Sequence, residues 1–316
     1  MTTTKAGEYR HLLYEALDDG AIVRILLNRP ETRNAQNRQL LLELDDAFLR
    51  AEADDAVRVV ILGGTGTMFS SGHDLSPSEL ERRLTDPEGS ATWGINGGTR
   101  KGAEARMLQE WHYFFENTRR WRNLRKITIA QVNGEVYAAG LMLMWCCDLI
   151  VASEDAFFVD VVGARLGMCG TEYFGHPWEF GPRKAKELLL TGDALSVDDA
   201  YALGMVSKVF PRDELTERTL AFARRIAAMP TMAALLVKEA VNQTVDNMGF
   251  HNSLQACFSL HQLNHSHWAE IHEDGLPIAT VDDGVPDWRD APPVTYAERS
   301  TAQAAAPAKA RRAAAT

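Results

Sequence analysis

No stretch of this chain is apolar for the roughly 20 residues that a bilayer crossing takes. The opening Met1 to Glu8 is polar, without the apolar core of a secretory signal, so a cytoplasmic protein is expected. Positive charge is in short supply: 33 Lys and Arg stand against 43 Asp and Glu, a net charge of −10. That balance argues against the basic face that nucleic-acid binding requires. Cysteine is scarce too, with four residues, Cys146, Cys147, Cys169 and Cys257, at spacings unlike those of a zinc site. The adjacent pair falls in an apolar helical stretch, and all four read as reduced thiols. No internal repeat is visible. What remains is an ordinary globular composition, 46% hydrophobic and 24% charged. At 316 residues the chain can bury a large core without a staple.

Along the chain, Leu12 to Leu27 reads as a hairpin of two apolar runs about Asp18-Asp19-Gly20. Gln39 to Ala53 has the spacing of an amphipathic helix, and Val57 to Leu62 that of a strand, buried from Val59 onward. Ser76 to Arg106, rich in Gly, Ser, Pro and charge, reads as a mobile insertion of the length that usually carries function. Trp111 to Leu124 is predicted helical and Ile127 to Val132 a buried strand. Leu149 to Ala152 and Ala156 to Val159 come next, then helices at Arg183 to Leu190, Val197 to Leu203, Asp213 to Ala228 and Met232 to Asn247. Strand and helix alternate to about Val209, which points to a layered α/β core. Three parts are expected: a core over 1–210, a helical region over 211–272, and an extended tail over 273–316. The Ala-rich, basic end of that tail, from Ala302, is expected to be disordered.

The most telling stretch is Ala130 to Asp148. It reads as the end of a buried strand, a turn at Asn133-Gly134, then the small residues Ala138-Ala139-Gly140 opening an apolar helix. Small residues there let a ligand come close to the backbone, and the free N–H groups of a first helical turn point at any negative charge placed before them. These are the elements of an oxyanion hole. A second turn, Phe69 to Leu75, follows the strand at Val57 to Leu62 and offers another N–H.

Together these turns resemble the crotonase (enoyl-CoA hydratase/isomerase) superfamily, whose members bind acyl-CoA thioesters. The likeness extends to Leu27 to Ala35, to Leu190 to Asp193 with Ala200 to Ser207, and to Lys238 to Asn242, and so spans roughly residues 10 to 245 in the family's order. It implies an α/β crotonase-like ββα spiral core, with two sheets near perpendicular, and a helical C-terminal trimerisation region. It also implies a homotrimer or dimer of trimers, an acyl-CoA substrate with coenzyme A as its only cofactor-like part, and backbone donors at His73 and Ala139.

The resemblance further places Ser71, Asp74 and Leu75 at the adenine end, and Arg33, cationic and planar, as a candidate phosphate contact. Where the family carries two glutamates, this chain has Met142 and either Val162 or Gly163, none of which can move a proton. Asp160 and Glu172 are the candidate replacement acids. Glu135, Tyr137 and the His73 ring stand near the same turns. The family's basic C-terminal motif is replaced by Asp274 to Ile278. Among His261, His265, His267 and His272 the first two share a helical face, yet no carboxylate or cysteine completes a metal set at suitable spacing. A solvated or interfacial helix, with no metal, is therefore expected. The resulting expectation is an enoyl-CoA hydratase or isomerase, or another enzyme of the family. The alternative is a non-catalytic acyl-CoA binder.

Overall fold

The computed structural model describes residues 9–79 and 102–272. The middle of the Ser76 to Arg106 insertion and the tail from residue 273, including Asp274 to Ile278, lie outside them. Strands β1 (Leu12–Leu17) and β2 (Ile22–Leu27) pair antiparallel, with Leu12 opposite Leu27 and Leu17 opposite Ile22. Asp18, Asp19 and Gly20 turn between them with φ of 52°, 56° and 89°, a left-handed path that Asp and Gly enter most readily. Helix α1 (Arg38–Ala53) begins where the Asn37 side chain accepts the Leu40 N–H at 2.9 Å. It buries Leu40, Leu44, Ala47, Phe48 and Ala51, the three-and-four spacing of one face.

Strand β3 (Val59–Gly64) runs parallel to β2, and β4 (Ile127–Val132) parallel to β3. All six residues of β4 are buried, as expected of a central parallel strand covered on both faces. A short β5 (Glu135–Tyr137) leads into helix α4 (Ala139–Trp145), after which β6 (Leu149–Ser153) returns beside β4. With β9 (Lys208–Phe210), six strands form one sheet in the order β1-β2-β3-β4-β6-β9. A smaller sheet holds β5, β7 (Phe157–Val159) and β8 (Leu195–Ser196).

Between β3 and β4, helix α2 (Gly102–Gln109) passes into seven π-helical residues, Glu110–Glu116, and then α3 (Asn117–Arg122). The sequence pattern had the helix begin only at Trp111, and regular 3.6-residue spacing gives no sign of the wider turn. Helices α5 (Val162–Leu166), α6 (His176–Phe180), α7 (Pro182–Thr191) and α8 (Val197–Leu203) follow. The last three among the described residues are α9 (Leu215–Ala227), α10 (Thr231–Asn247) and α11 (Phe250–Ile271). Phe250, Leu254 and Phe258 of α11 enter the main hydrophobic core, where Phe258 stacks on Phe115 with centroids 4.5 Å apart. The final helix thus lies against the body of the molecule and turns one face toward the site. Among the described residues no single helix is long and apolar enough to cross a membrane, and the pair α9 and α10 that together reach the length is bent by 103°. All four cysteines are free thiols.

Candidate active site

Two turns are brought side by side by a short run of ladder bonds. Phe69 N–H donates to the Glu135 carbonyl at 3.2 Å, and Tyr137 N–H to the Ser70 carbonyl at 3.0 Å. One residue further, Gln36 N–H donates to Gly72 O at 2.8 Å and Asp74 N–H to Gln36 O at 3.1 Å. Gln36 is therefore served by the residues flanking His73, and the His73 N–H turns the other way. Ala139 is the first residue of α4, so helix geometry gives its N–H no partner. Gly72, at φ of 89°, sits between them: a Cβ there would lie 3.0 Å from Tyr137 O and 3.1 Å from Ala139 N. A side chain at residue 72 would crowd the Tyr137 carbonyl and the Ala139 N–H.

The turn at 29–35 holds this arrangement in place. Arg33 and Asn34 both have positive φ, 57° and 54°. Asn34, fully buried, accepts the Arg29 N–H at 2.9 Å and donates to the carbonyls of Thr65, Met68 and Phe69 at 2.9, 3.1 and 3.1 Å. Asn34→Ala leaves those buried groups without partners and keeps a strained φ, so a loss of about 3 kcal/mol is expected. Denaturant unfolding checks it; a loss below about 1 kcal/mol would mean the turn holds itself. Ala138, in the turn before α4, carries φ 47° and ψ −119°, a conformation that strains any residue with a Cβ. The strain in the triplet therefore falls on Ala138 rather than on Ala139.

The turns open onto a cavity of about 670 Å³. His73, Ala139, Glu172, Arg33, Ser71, Asp74 and Leu75, all expected from the sequence, line it, as does Tyr137. Arg33 is exposed at its rim. Asp74 pairs with Arg29 at 2.9 Å and accepts the Ser76 N–H at 3.0 Å. Burial raises its pKa, but these hydrogen bonds and the guanidinium charge outweigh that and hold it below the usual carboxylate range. Burial and the nearby Glu135 push the Tyr137 hydroxyl up to about 12, which keeps it protonated.

Asp160 lies buried behind the cavity wall. Its carboxylate accepts the backbone N–H of Val162 at 2.9 Å and of Thr171 at 3.2 Å, and faces His176 Nε2 at 2.9 Å. The two side chains are 2% and 1% exposed, and Asp160 is not among the cavity-lining residues. It ties the 160–171 loop together behind the wall. Glu172, which ends that loop, does face the cavity. Its Oε2 lies 3.2 Å from His73 Nε2 and its Oε1 3.7 Å from His261 Nε2. Burial alone would raise its pKa; the charges of His73 and His261 overcome this and hold it well below the ordinary range. The His73 ring is fixed by stacking on Phe114, centroids 3.7 Å apart.

Three lining residues were missed or misread. Glu110, the first residue of the π-helical turn, lies 3.1 Å from His265 Nε2 and accepts from Gln262 at 2.7 Å. His261 and His265 are not on a solvated face: they are 3% and 6% exposed, because α11 lays them on the cavity wall. Burial would lower the pKa of His261, but the Cys169 thiol with Glu172 and Glu110 raise it to about 9. His267 alone of the four is fully on the outside. Of the two matches for the family's second acid, Val162 lines the cavity, whereas a Cβ on Gly163 would meet Leu189 O at 2.7 Å. Met142 is buried in the core.

Comparison with known proteins bears on this geometry. The family profile described as enoyl-CoA hydratase/isomerase matches residues 18–90 and 90–273. EchA13 of Mycobacterium tuberculosis, provisionally named an enoyl-CoA hydratase, is 62% identical over 288 residues, 91% of each chain. An Arthrobacter 4-chlorobenzoyl coenzyme A dehalogenase is 29% identical, over 82% of this chain and 88% of its own length. The crystal structure of a Mycobacterium smegmatis protein, also provisionally named an enoyl-CoA hydratase, superposes with a TM-score of 0.74 at 42% identity, covering 85% of this chain and 99% of that one.

Proposed function

This chain belongs to the enoyl-CoA hydratase/isomerase family, and from that footing we propose that it transfers a proton on an acyl-CoA thioester. The thioester carbonyl sits between the His73 and Ala139 N–H groups, which stabilise the enolate oxygen as charge develops there. Glu172 moves the proton, to or from the α-carbon or from a water, with the His73 ring holding its free carboxylate in place. The observation that carries this reading is that the buried Glu172 carboxyl, facing the His73 ring, lines the same cavity as His73 and Ala139. With the apolar Met142 and Val162 at the places where the family's glutamates are expected, Glu172 is the acid to which we assign the proton transfer. The same two residues favour the second reading, a binder that has lost its chemistry.

Arg33, exposed at the rim, contacts a phosphate of coenzyme A. Exposed Met232, Leu236, Val237, Val241 and Met248, 57–69% accessible, form the surface by which α10 meets further copies, giving a trimer or a dimer of trimers. Sedimentation equilibrium reads this directly, and a monomer at micromolar concentration would refute it.

The deciding experiment is a mass-resolved turnover assay on a panel of short, medium and sterol-like enoyl-CoA thioesters, with binding measured in parallel. Hydration or isomerisation above background is expected. Arg33→Ala is expected to weaken binding about tenfold with kcat unchanged, the signature of a contact made equally in ground and transition states. Tight binding with no turnover of any thioester would leave the binder reading standing.

A further inference from the structure

We propose that Glu110, His261 and His265 form a site for one divalent transition-metal ion of the zinc type on the wall of the acyl-CoA cavity. Each residue offers one ligand atom, and the three atoms lie within 4.8 Å of one another. Helix α11 sets the two histidines one turn apart on a single face, and the π-helical turn brings Glu110 up opposite them. Two imidazoles and one carboxylate are a donor set that zinc and its neighbours accept, with a further position open to water.

Two details favour an ion over a plain hydrogen-bond network. First, His261 Nδ1 lies 2.9 Å from the Gly170 carbonyl, which orients the ring and turns Nε2 into the cluster. That Nε2 is buried, faces the cluster, and has no hydrogen-bond partner. Second, its neighbours are Glu110 Oε2 at 3.8 Å and Glu172 Oε1 at 3.7 Å. These spacings are too long for hydrogen bonds. They are close to the roughly 3.4 Å that separates two ligands of one ion bound at about 2.0–2.2 Å. Gln262, donating to Glu110 at 2.7 Å, orients the carboxylate as outer-shell partners do. The open position faces the cavity beside Glu172, where it takes water or an oxygen of the bound acyl group.

The test does not depend on turnover. Full-length protein is stripped by chelation and titrated with Zn²⁺ against a chromogenic chelator, and separately with Co²⁺ while its visible absorption is followed. One equivalent per chain at micromolar affinity or tighter is expected, with a Co²⁺ spectrum of nitrogen and oxygen ligands. Glu110→Gln and His265→Gln should each weaken binding at least about tenfold, with circular dichroism and melting confirming that both variants fold. Should one not fold, the other carries the comparison. Substoichiometric uptake, equal affinity in a folded variant, or a Co²⁺ spectrum dominated by thiolate would overturn the site.

Discussion

Glu172→Gln is expected to lower kcat by about 10³ while leaving the Kd for an acyl-CoA within about threefold. A positioned acid or base contributes on the order of 10²–10⁴, and neither Asp160 nor Glu110 is placed to stand in. Asp160 is 2% exposed and committed to His176 and two backbone N–H groups, and Glu110 is taken up by His265 and Gln262. The amide keeps the shape of the side chain but removes the charge facing His73 and His261. Some stability is lost with it, so thermal melting belongs beside the kinetics. A kcat within tenfold of the parent, in a folded variant, would remove Glu172 from the chemistry. The companion Asp160→Asn is expected to act on stability first, since its contacts tie one segment of loop to another.

Gly72→Ala is the second large effect: kcat is expected to fall at least about 10², the cost of losing one oxyanion donor. At φ of 89° the backbone resists any Cβ, and the added methyl would press on Tyr137 O and Ala139 N, so one of the two turns must retreat. Because the turns carry the two donors, the retreat spoils their convergence before it spoils the fold. The measurement is kcat and KM with the same thioester panel, alongside a denaturant curve. A variant that keeps its kcat would show that the His73 and Ala139 N–H groups do not converge on one oxygen.

How far these residues could be read from the sequence differs with their position. The hairpin about Asp18 to Gly20, the helix over Gln39 to Ala53 and the buried strand at Ile127 to Val132 announce themselves, since each is set by local pattern: left-handed turn residues, amphipathic spacing, a mostly apolar run. His73 and Ala139 came from the resemblance, which rests on turns and small residues that leave marks in the sequence, and both line the cavity. Glu172 and Asp160 could not be told apart, as each is an acid in a loop near the right place. Only the fold shows that one faces the cavity and the other faces His176. Glu110 was wholly hidden. It lies 151 residues before His261 in the chain, so no local spacing links it to the histidines, and the widened turn that presents it leaves the apolar pattern unchanged. For the same reason His261 and His265 read as part of a solvated or interfacial helix: their partners come from elsewhere.

That widened turn makes helix phase something a single insertion or deletion can reset. Dropping one residue from Glu110–Glu116 would restore ordinary winding and rotate the helical residues of α2 just before it by roughly 100° about the axis. Glu110 would leave the cavity wall and another side chain of α2 would arrive, while the sheet, the backbone donors and Glu172 stayed where they are. A lineage carrying this fold could exchange the lining opposite its histidines in one mutational step, without first making a new loop.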